Sequence, residues 1–213
     1  YSHAAAFSSH AVKTIASGEG GVVTTNDRNF AEKLRLYRNH GMVKDNDELA
    51  SNPWHYEMHS LGFNYRLTDI QCALGRSQLS KLEGFVKKRE KLRERYSICL
   101  KTLGPYVKPI ETIGGCKPAW HLAVALIDFE KLGIQRLDVM RKLSDLGVGT
   151  QVHYIPVHKQ PYYQMRYGKF TLRGCEAYYS RCLSLPLWPD MTLAEVDFVV
   201  STLADILGVK QKF

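Results

Sequence analysis

The stretch from Thr68 to Gly104 constrains the fold of this chain most. Thr68-Asp69-Ile70-Gln71 reads as a capping box, in which the threonine hydroxyl and the glutamine side chain satisfy helix-end donors reciprocally. Ile70, Leu74, Leu82, Phe85, Leu92, Tyr96 and Leu100 then keep helical spacing, and Gly104-Pro105 ends the pattern. The spacing predicts one helix over 68–105, about 50 Å long at about 1.5 Å per residue. A helix of that length spans a domain or joins two.

Before the helix, residues 3–7 are short and apolar and read as a buried strand. Gly18-Glu19-Gly20-Gly21 is a turn cluster leading into Val22-Val23-Thr24-Thr25, a second strand. Asn26 and Asp27 offer N-cap oxygens for a helix running to about Arg38 and stopped by Gly41. Residues 42–67 read as irregular. After the helix, 119–127 and 150–154 are strand candidates. Residues 135–146 and 174–182 are helical, 183–185 is short and extended, and Thr192-Leu193-Ala194-Glu195 opens a last helix to about Leu207. From about 106 onward the chain reads as a small α+β domain.

Charge and cysteine content narrow the function. The 29 Lys+Arg exceed the 21 Asp+Glu by eight, which favours acidic partners such as phosphates and nucleotides. Much of the excess lies between Lys81 and Lys101 and reads as a solvated helix face. No zinc-finger spacing, aromatic RNA-binding signature or basic zipper accompanies it, so nucleic acid is not the expected partner. The five cysteines are widely spaced, without C-x-x-C, and fit free thiols rather than disulfides or zinc. No apolar run approaches the roughly 20 residues of a membrane span. The expectation is a cytoplasmic protein with no membrane association and no metal.

The chemistry-bearing run is Phe7-Ser8-Ser9-His10-Ala11-Val12-Lys13, followed by Gly18-Glu19-Gly20-Gly21. A strand enters a polar turn, and glycines let backbone approach a ligand closely. Lys13 stands between apolar Val12 and Ile15, and partial desolvation favours the neutral, nucleophilic amine that forms Schiff bases. Hydroxyls and backbone N–H groups nearby suit a phosphate. A surface lysine in a β-hairpin satisfies the same residues.

This run resembles the segment around the cofactor lysine of the DegT/StrS-type sugar aminotransferases, with Ser9 where their pattern has Phe. Arg38-Asn39-His40-Gly41, Gly62-Phe63-Asn64-Tyr65-Arg66, Tyr154-Ile155-Pro156-Val157-His158 and Leu183-Ser184-Leu185-Pro186 resemble further family segments in the same order. Pro53-Trp54-His55-Tyr56-Glu57-Met58, Gly149-Thr150-Gln151-Val152-His153-Tyr154 and Gln160-Pro161-Tyr162-Tyr163 are similar to the branch that serves pseudaminic acid biosynthesis.

The resemblance implies an α/β fold, the type I fold of transferases dependent on pyridoxal phosphate. Residues 1–67 would be the end of the cofactor-binding large domain, 68–105 the connecting helix and 106–213 the small domain. The implied reaction moves an amino group from L-glutamate to C4 of a UDP-linked 4-keto-6-deoxy-N-acetylhexosamine. GDP- or dTDP-linked keto-sugars remain open as substrates, as does a non-catalytic basic fragment. Lys13 would bind pyridoxal phosphate covalently and carry the proton, and Ser8 would bond the cofactor phosphate. Asn64 would reach the phosphate of the neighbouring subunit in a homodimer. Arg66 would add charge there or form a structural ion pair. His153, Tyr154 and His158 would line the sugar-nucleotide pocket or pack within the small domain. His10 reads as a structural histidine of the cofactor loop. The carboxylate, stacking ring and phosphate loop that the family places before its lysine are not among residues 1–12. The expectation is the C-terminal part of a longer enzyme, one that does not bind the cofactor tightly alone.

Overall fold

A computed structural model of the chain describes residues 2–44 and 51–212. The chain divides into two compact units, Tyr1–Leu82 and Glu83–Phe213. Among the described residues, no helix is long and apolar enough to cross a membrane.

The first unit opens with a hairpin. Strand β1 (Ala4–Ser8) pairs antiparallel with β2 (Gly21–Thr25), in a register from Ala4 opposite Thr25 to Ser8 opposite Gly21. Helix α1 (Arg28–Arg38) follows, with the Asp27 carboxylate accepting from the Phe30 N–H as the expected N-cap. Two short strands, β3 (Met42–Val43) and β4 (Glu57–Met58), pair antiparallel within the stretch read as irregular, of which 45–50 lies outside the described residues. Strand β1 forms where the apolar run predicted it but is not buried: Ala4 and Ala5 are half-exposed, and Phe7 is 59% exposed. Two strands form a single layer. Among the described residues of this unit, no hydrophobic side chain is buried.

The expected single helix is two. Helix α2 (Asp69–Leu79) begins on the predicted capping box, and α3 (Leu82–Lys101) follows after a turn at Ser80 and Lys81. There the Lys81 N–H bonds the Gln78 carbonyl, three residues back, and the Ser80 hydroxyl donates to the Ser77 carbonyl. A serine hydroxyl that competes for helix carbonyls breaks the ladder where no apolar contact restores it. Hydrophobic spacing carried across the turn unbroken, so periodicity alone did not reveal it.

The second unit holds the core. Strand β5 (Val107–Pro109) pairs with β6 (Ala123–Ile127), and β6 with β7 (Cys182–Leu185), all antiparallel, with β6 central. Residues 150–154, read as a strand, form only a bridge between Gln151 and Ser184. Short helix α4 (Phe129–Leu132) and helix α5 (Arg136–Asp145) follow β6. Helix α6 (Pro161–Tyr167), helix α7 (Arg173–Arg181) and β7 come next, and α8 (Leu193–Leu207) closes the unit on its predicted capping box. Val196, Val199, Val200, Leu203 and Leu207 form the buried stripe of α8, at the spacing an amphipathic helix requires. On α3, Leu92, Tyr96 and Leu100 do the same and join the one cluster with Ala125, Ile127, Leu143 and Leu183.

Arg89 continues the α3 stripe. It is 6% exposed, and its guanidinium donates to the carbonyls of His121 and Leu187 at 3.2 and 3.0 Å. Burial pulls its pKa down from the ordinary arginine value. Tyr96 donates its hydroxyl to the next carbonyl back, that of Pro186, at 2.8 Å. Together they fix the chain immediately after β7.

Candidate active site

Lys13 lies in the loop that joins β1 to β2. The loop is closed on itself: the Ser9 N–H bonds the Gly20 carbonyl, the Ser17 N–H bonds the Ser9 carbonyl, and the Ser9 and Ser17 hydroxyls meet at 2.8 Å. Within it a turn brings the Lys13 N–H to the His10 carbonyl at 2.9 Å. Lys13 is half-buried. Among the described residues, no carboxylate or hydrogen-bond acceptor engages its ammonium.

His10 is a staple of this loop. Its Nδ1 accepts from the Val12 N–H at 3.4 Å, which leaves the ring proton on Nε2, 3.5 Å from the Glu19 carboxylate. Ser8 receives the His10 N–H on its hydroxyl oxygen, so the hydroxyl proton remains to donate. The capping-box residue Gln71 donates to the Glu19 carbonyl at 3.2 Å and ties the start of α2 to the lysine loop. One side chain thus caps a helix and braces the loop.

Asn64 is placed by a second close assembly. The Arg38–Gly41 segment and the Gly62–Arg66 segment, far apart in sequence, interlock through their backbones. The His40 N–H bonds the Phe63 carbonyl, the Phe63 N–H the Tyr37 carbonyl and the Tyr65 N–H the Arg38 carbonyl, while Asn39 and Asn64 form a bridge. Gly41 has φ +69°, and a Cβ there would overlap the Ser60 carbonyl oxygen. At Gly62 a Cβ would overlap the Gly41 nitrogen. Only glycine permits so close an approach. The Asn64 side-chain oxygen accepts from Arg66 at 3.3 Å. No hydrogen bond among the described residues joins Asn64 to the Lys13 loop.

Beside Asn39 a cavity of about 600 Å³ is lined by Arg35, Arg38 and Arg66 together with Glu32. Sequence reading passed over Arg35 and Arg38. Their i, i+3 spacing at the end of α1 was the available signal, because residues so spaced share a helix face.

The remaining candidates lie in the second unit. His153 and Tyr154 are together, ring edge to ring face at 4.6 Å. His153 is half-buried. Its Nδ1 lies 2.8 Å from the Ser184 hydroxyl, and its carbonyl accepts from the Tyr178 hydroxyl at 3.2 Å. Tyr154 is 68% exposed. His158 is separate from them in character: it is buried, bonds the Glu176 carboxylate at 3.1 Å and stacks on Phe170. Lys159 completes an ion pair with the same carboxylate. Hydrogen bonds from Lys159 first, then from His158, hold the Glu176 carboxyl below its ordinary pKa. His158 therefore anchors the loop that presents Tyr154. Among the described residues, no group of three or more His, Cys, Asp or Glu is arranged to hold a metal ion.

A lysine loop on a hairpin, an interlocked Asn-bearing turn, a helical connection and an antiparallel α+β unit form part of a type I transferase dependent on pyridoxal phosphate. The chain belongs to the DegT/DnrJ/EryC1/StrS aminotransferase family, whose sequence pattern matches residues 1–204. It is 39% identical over 209 residues to the spore coat polysaccharide biosynthesis protein SpsC of Bacillus subtilis, covering 96% of this chain and 54% of that protein. Helicobacter pylori PseC, an aminotransferase involved in pseudoaminic acid biosynthesis, superposes with a TM-score of 0.88 at 32% identity, covering 98% of this chain and 54% of that one. Spr1654 of Streptococcus pneumoniae, solved in its PMP form, superposes with a TM-score of 0.87 over 97% of this chain and 53% of its own, and at 22% identity this likeness is one of fold. The chain spans about half the length of the relatives it matches.

Proposed function

We propose that this chain is the lysine-bearing part of a sugar aminotransferase that moves the amino group of L-glutamate to C4 of a UDP-linked 4-keto-6-deoxy-N-acetylhexosamine. Its relatives are enzymes of a family dependent on pyridoxal phosphate, and Spr1654 was solved in both PLP and PMP forms. The observation that carries the proposal is the Lys13 loop: an amine with no ion-pair partner among the described residues, in a loop closed by its own hydrogen bonds and following Ser8, whose hydroxyl keeps a proton to donate.

These residues fit the cofactor. When bound, pyridoxal phosphate supplies an electron sink next to the carbon that gains or loses a proton. Lys13 would hold the cofactor and carry that proton on its amine. Ser8 would donate its hydroxyl to a phosphate oxygen. Asn64, with Arg66 beside it, serves the phosphate of a second subunit, which makes the active site a property of a homodimer. In the second unit, Tyr154 and His153 meet the nucleotide-sugar, and His158 supports their loop through Glu176. Similarity to PseC, an aminotransferase involved in pseudoaminic acid biosynthesis, supports a sugar of that kind as the substrate.

The test uses the intact enzyme with L-glutamate and UDP-, GDP- or dTDP-linked keto-sugars. Turnover should be greatest with the UDP sugar. Lys13→Ala should abolish both turnover and the borohydride-fixed pyridoxyl group. Retained fixation in that variant sinks the lysine assignment, and a preference for GDP or dTDP sugars sinks the substrate.

A further inference from the structure

Ser17, in the loop that carries Lys13, is 3% exposed. Its hydroxyl donates to the Glu19 carbonyl at 3.1 Å and meets the Ser9 hydroxyl at 2.8 Å. A hydroxyl has one proton to give. With that proton on the Glu19 carbonyl, the Ser17 oxygen accepts from Ser9. The reverse direction gives up the Glu19 bond and leaves the Ser9 proton without an acceptor among the described residues. The bonds therefore run from Ser9 to Ser17 to the Glu19 carbonyl.

The surroundings shut this relay in. A Cβ on Gly20 would stand 3.0 Å from the Ser9 oxygen, 3.2 Å from the Ser17 oxygen and 2.7 Å from a Leu67 methyl, so the bare glycine lets all three close on the backbone. Helix α2 covers Ser17 from another direction: a Cβ on Gly75 would lie 3.6 Å from the Ser17 Cβ. The Glu19 carbonyl at the end of the relay also accepts from Gln71, the capping residue of α2. Phenylalanine, which the family pattern has at position 9, offers no donor for such a chain of bonds.

Lys13 stands midway between the two serines. Besides the hydroxyl bond, the Ser17 N–H donates to the Ser9 carbonyl at 2.8 Å, so the loop over residues 9–17 is pinched twice at its base. We propose that Ser9 is a positioning residue for Lys13: through Ser17 its hydroxyl ties the base of the loop to the α2 cap and holds the Lys13 amine at the place from which it moves the proton. The relay follows from the hydroxyl geometry. The proton transfer rests on the proposed function.

The first test is amide hydrogen exchange in the full chain. Ser9→Ala should lower protection at the Lys13 and Ser17 amides about fivefold, the worth of one net hydrogen bond, and leave the Ala31 amide of α1 unaltered. Ser17→Ala should lower protection at Lys13 to the same extent. The double variant should go no further than the larger single effect, because either change breaks the same relay. Ser9→Thr, which keeps the hydroxyl, should hold the wild-type protection. Unaltered exchange in Ser9→Ala, or effects that add in the double variant, overturn the relay. Should Ser9→Ala lose protection throughout, Ser17→Ala and Ser9→Thr still decide.

The second test is steady-state kinetics of the intact enzyme. Ser9→Ala should lower kcat about fivefold with the KM for L-glutamate unchanged, since only the placing of the proton carrier is altered, and Ser9→Thr should restore kcat. Both variants should still carry the borohydride-fixed pyridoxyl group. An unchanged kcat beside altered exchange overturns the positioning role and leaves a tie that serves the loop alone. A wild-type enzyme that fixes no pyridoxyl group on Lys13 overturns the proposed function, and the proton role with it, whatever the exchange shows.

Discussion

Replacing Tyr96 by Phe isolates one hydrogen bond in the frame of the second unit. The ring is 2% exposed, and its hydroxyl donates to the Pro186 carbonyl at 2.8 Å. Burial raises the phenol pKa, so the group remains a donor across the pH range of any practical assay. Phenylalanine fills the same ring volume, so no cavity larger than one oxygen appears and the packing term is small. What changes is a carbonyl that loses its donor. A net hydrogen bond contributes about 1 ± 0.5 kcal/mol, and an acceptor left in a half-buried place adds to that. The expected loss is about 1.5 kcal/mol, roughly tenfold in the unfolding equilibrium. By contrast Tyr96→Ala removes the ring from the core and should cost about 3–5 kcal/mol. Urea unfolding followed by tryptophan fluorescence measures both, since Trp120 and Trp188 report on the second unit. The phenylalanine variant should lower the midpoint with an unchanged m-value. An unshifted midpoint would mean that the Pro186 carbonyl finds another donor, and the clamp reasoning would fail. A changed m-value would mean that the variant alters compactness rather than one bond.

Two further outcomes follow from specific contacts. Arg95 binds Asp197 through two hydrogen bonds, at 2.6 and 2.7 Å, and holds its carboxyl below the ordinary carboxylate pKa. A depressed carboxyl contributes stability that is present above its unfolded pKa and lost as pH falls through the folded one. Asp197→Asn should therefore lower the urea midpoint at neutral pH and flatten its fall on acidification; an acid limb as steep as the wild type's would refute this, and the effect should be small because solvent screens the half-exposed pair. Gly41→Ala places a Cβ against the Ser60 carbonyl oxygen at a left-handed backbone position, which alone costs about 1–2 kcal/mol. Hydrogen exchange should then quicken at the Phe63 and Tyr65 amides, which pair with Tyr37 and Arg38, and unchanged protection there would show that the two segments are not interlocked.

Local signals were legible wherever a short-range contact decides the structure. The capping boxes at Thr68 and Thr192 and the Asp27 cap form as read, because each is settled within four residues. Strands β1, β2 and β7 follow apolar runs bounded by turns. The break at Ser80 was hidden, because hydrophobic spacing persists across it. Residues 150–154 were β-like by composition, yet among them only Gln151 pairs through its backbone with β7, at Ser184. The short β3–β4 pair carries too few residues for any periodicity to appear.

For the site the division is similar. Sequence alone singled out the candidate side chains: Lys13 after a strand, Ser8 at the end of that strand, and Asn64 and Arg66 two residues apart. It also carried the order of motifs by which the family is known. Only the tertiary structure decided how they are held. Gln71 reaches across 52 residues to brace the lysine loop, and Arg35 and Arg38 converge with Arg66 on one cavity. Three look-alike candidates of one segment separate into an exposed Tyr154, a gripped His153 and a buried His158. The reason is that burial and hydrogen-bond partners are properties of neighbours in space. Ser184 and Glu176, which distinguish the two histidines, lie 31 and 18 residues further along the chain, beyond the reach of any local pattern.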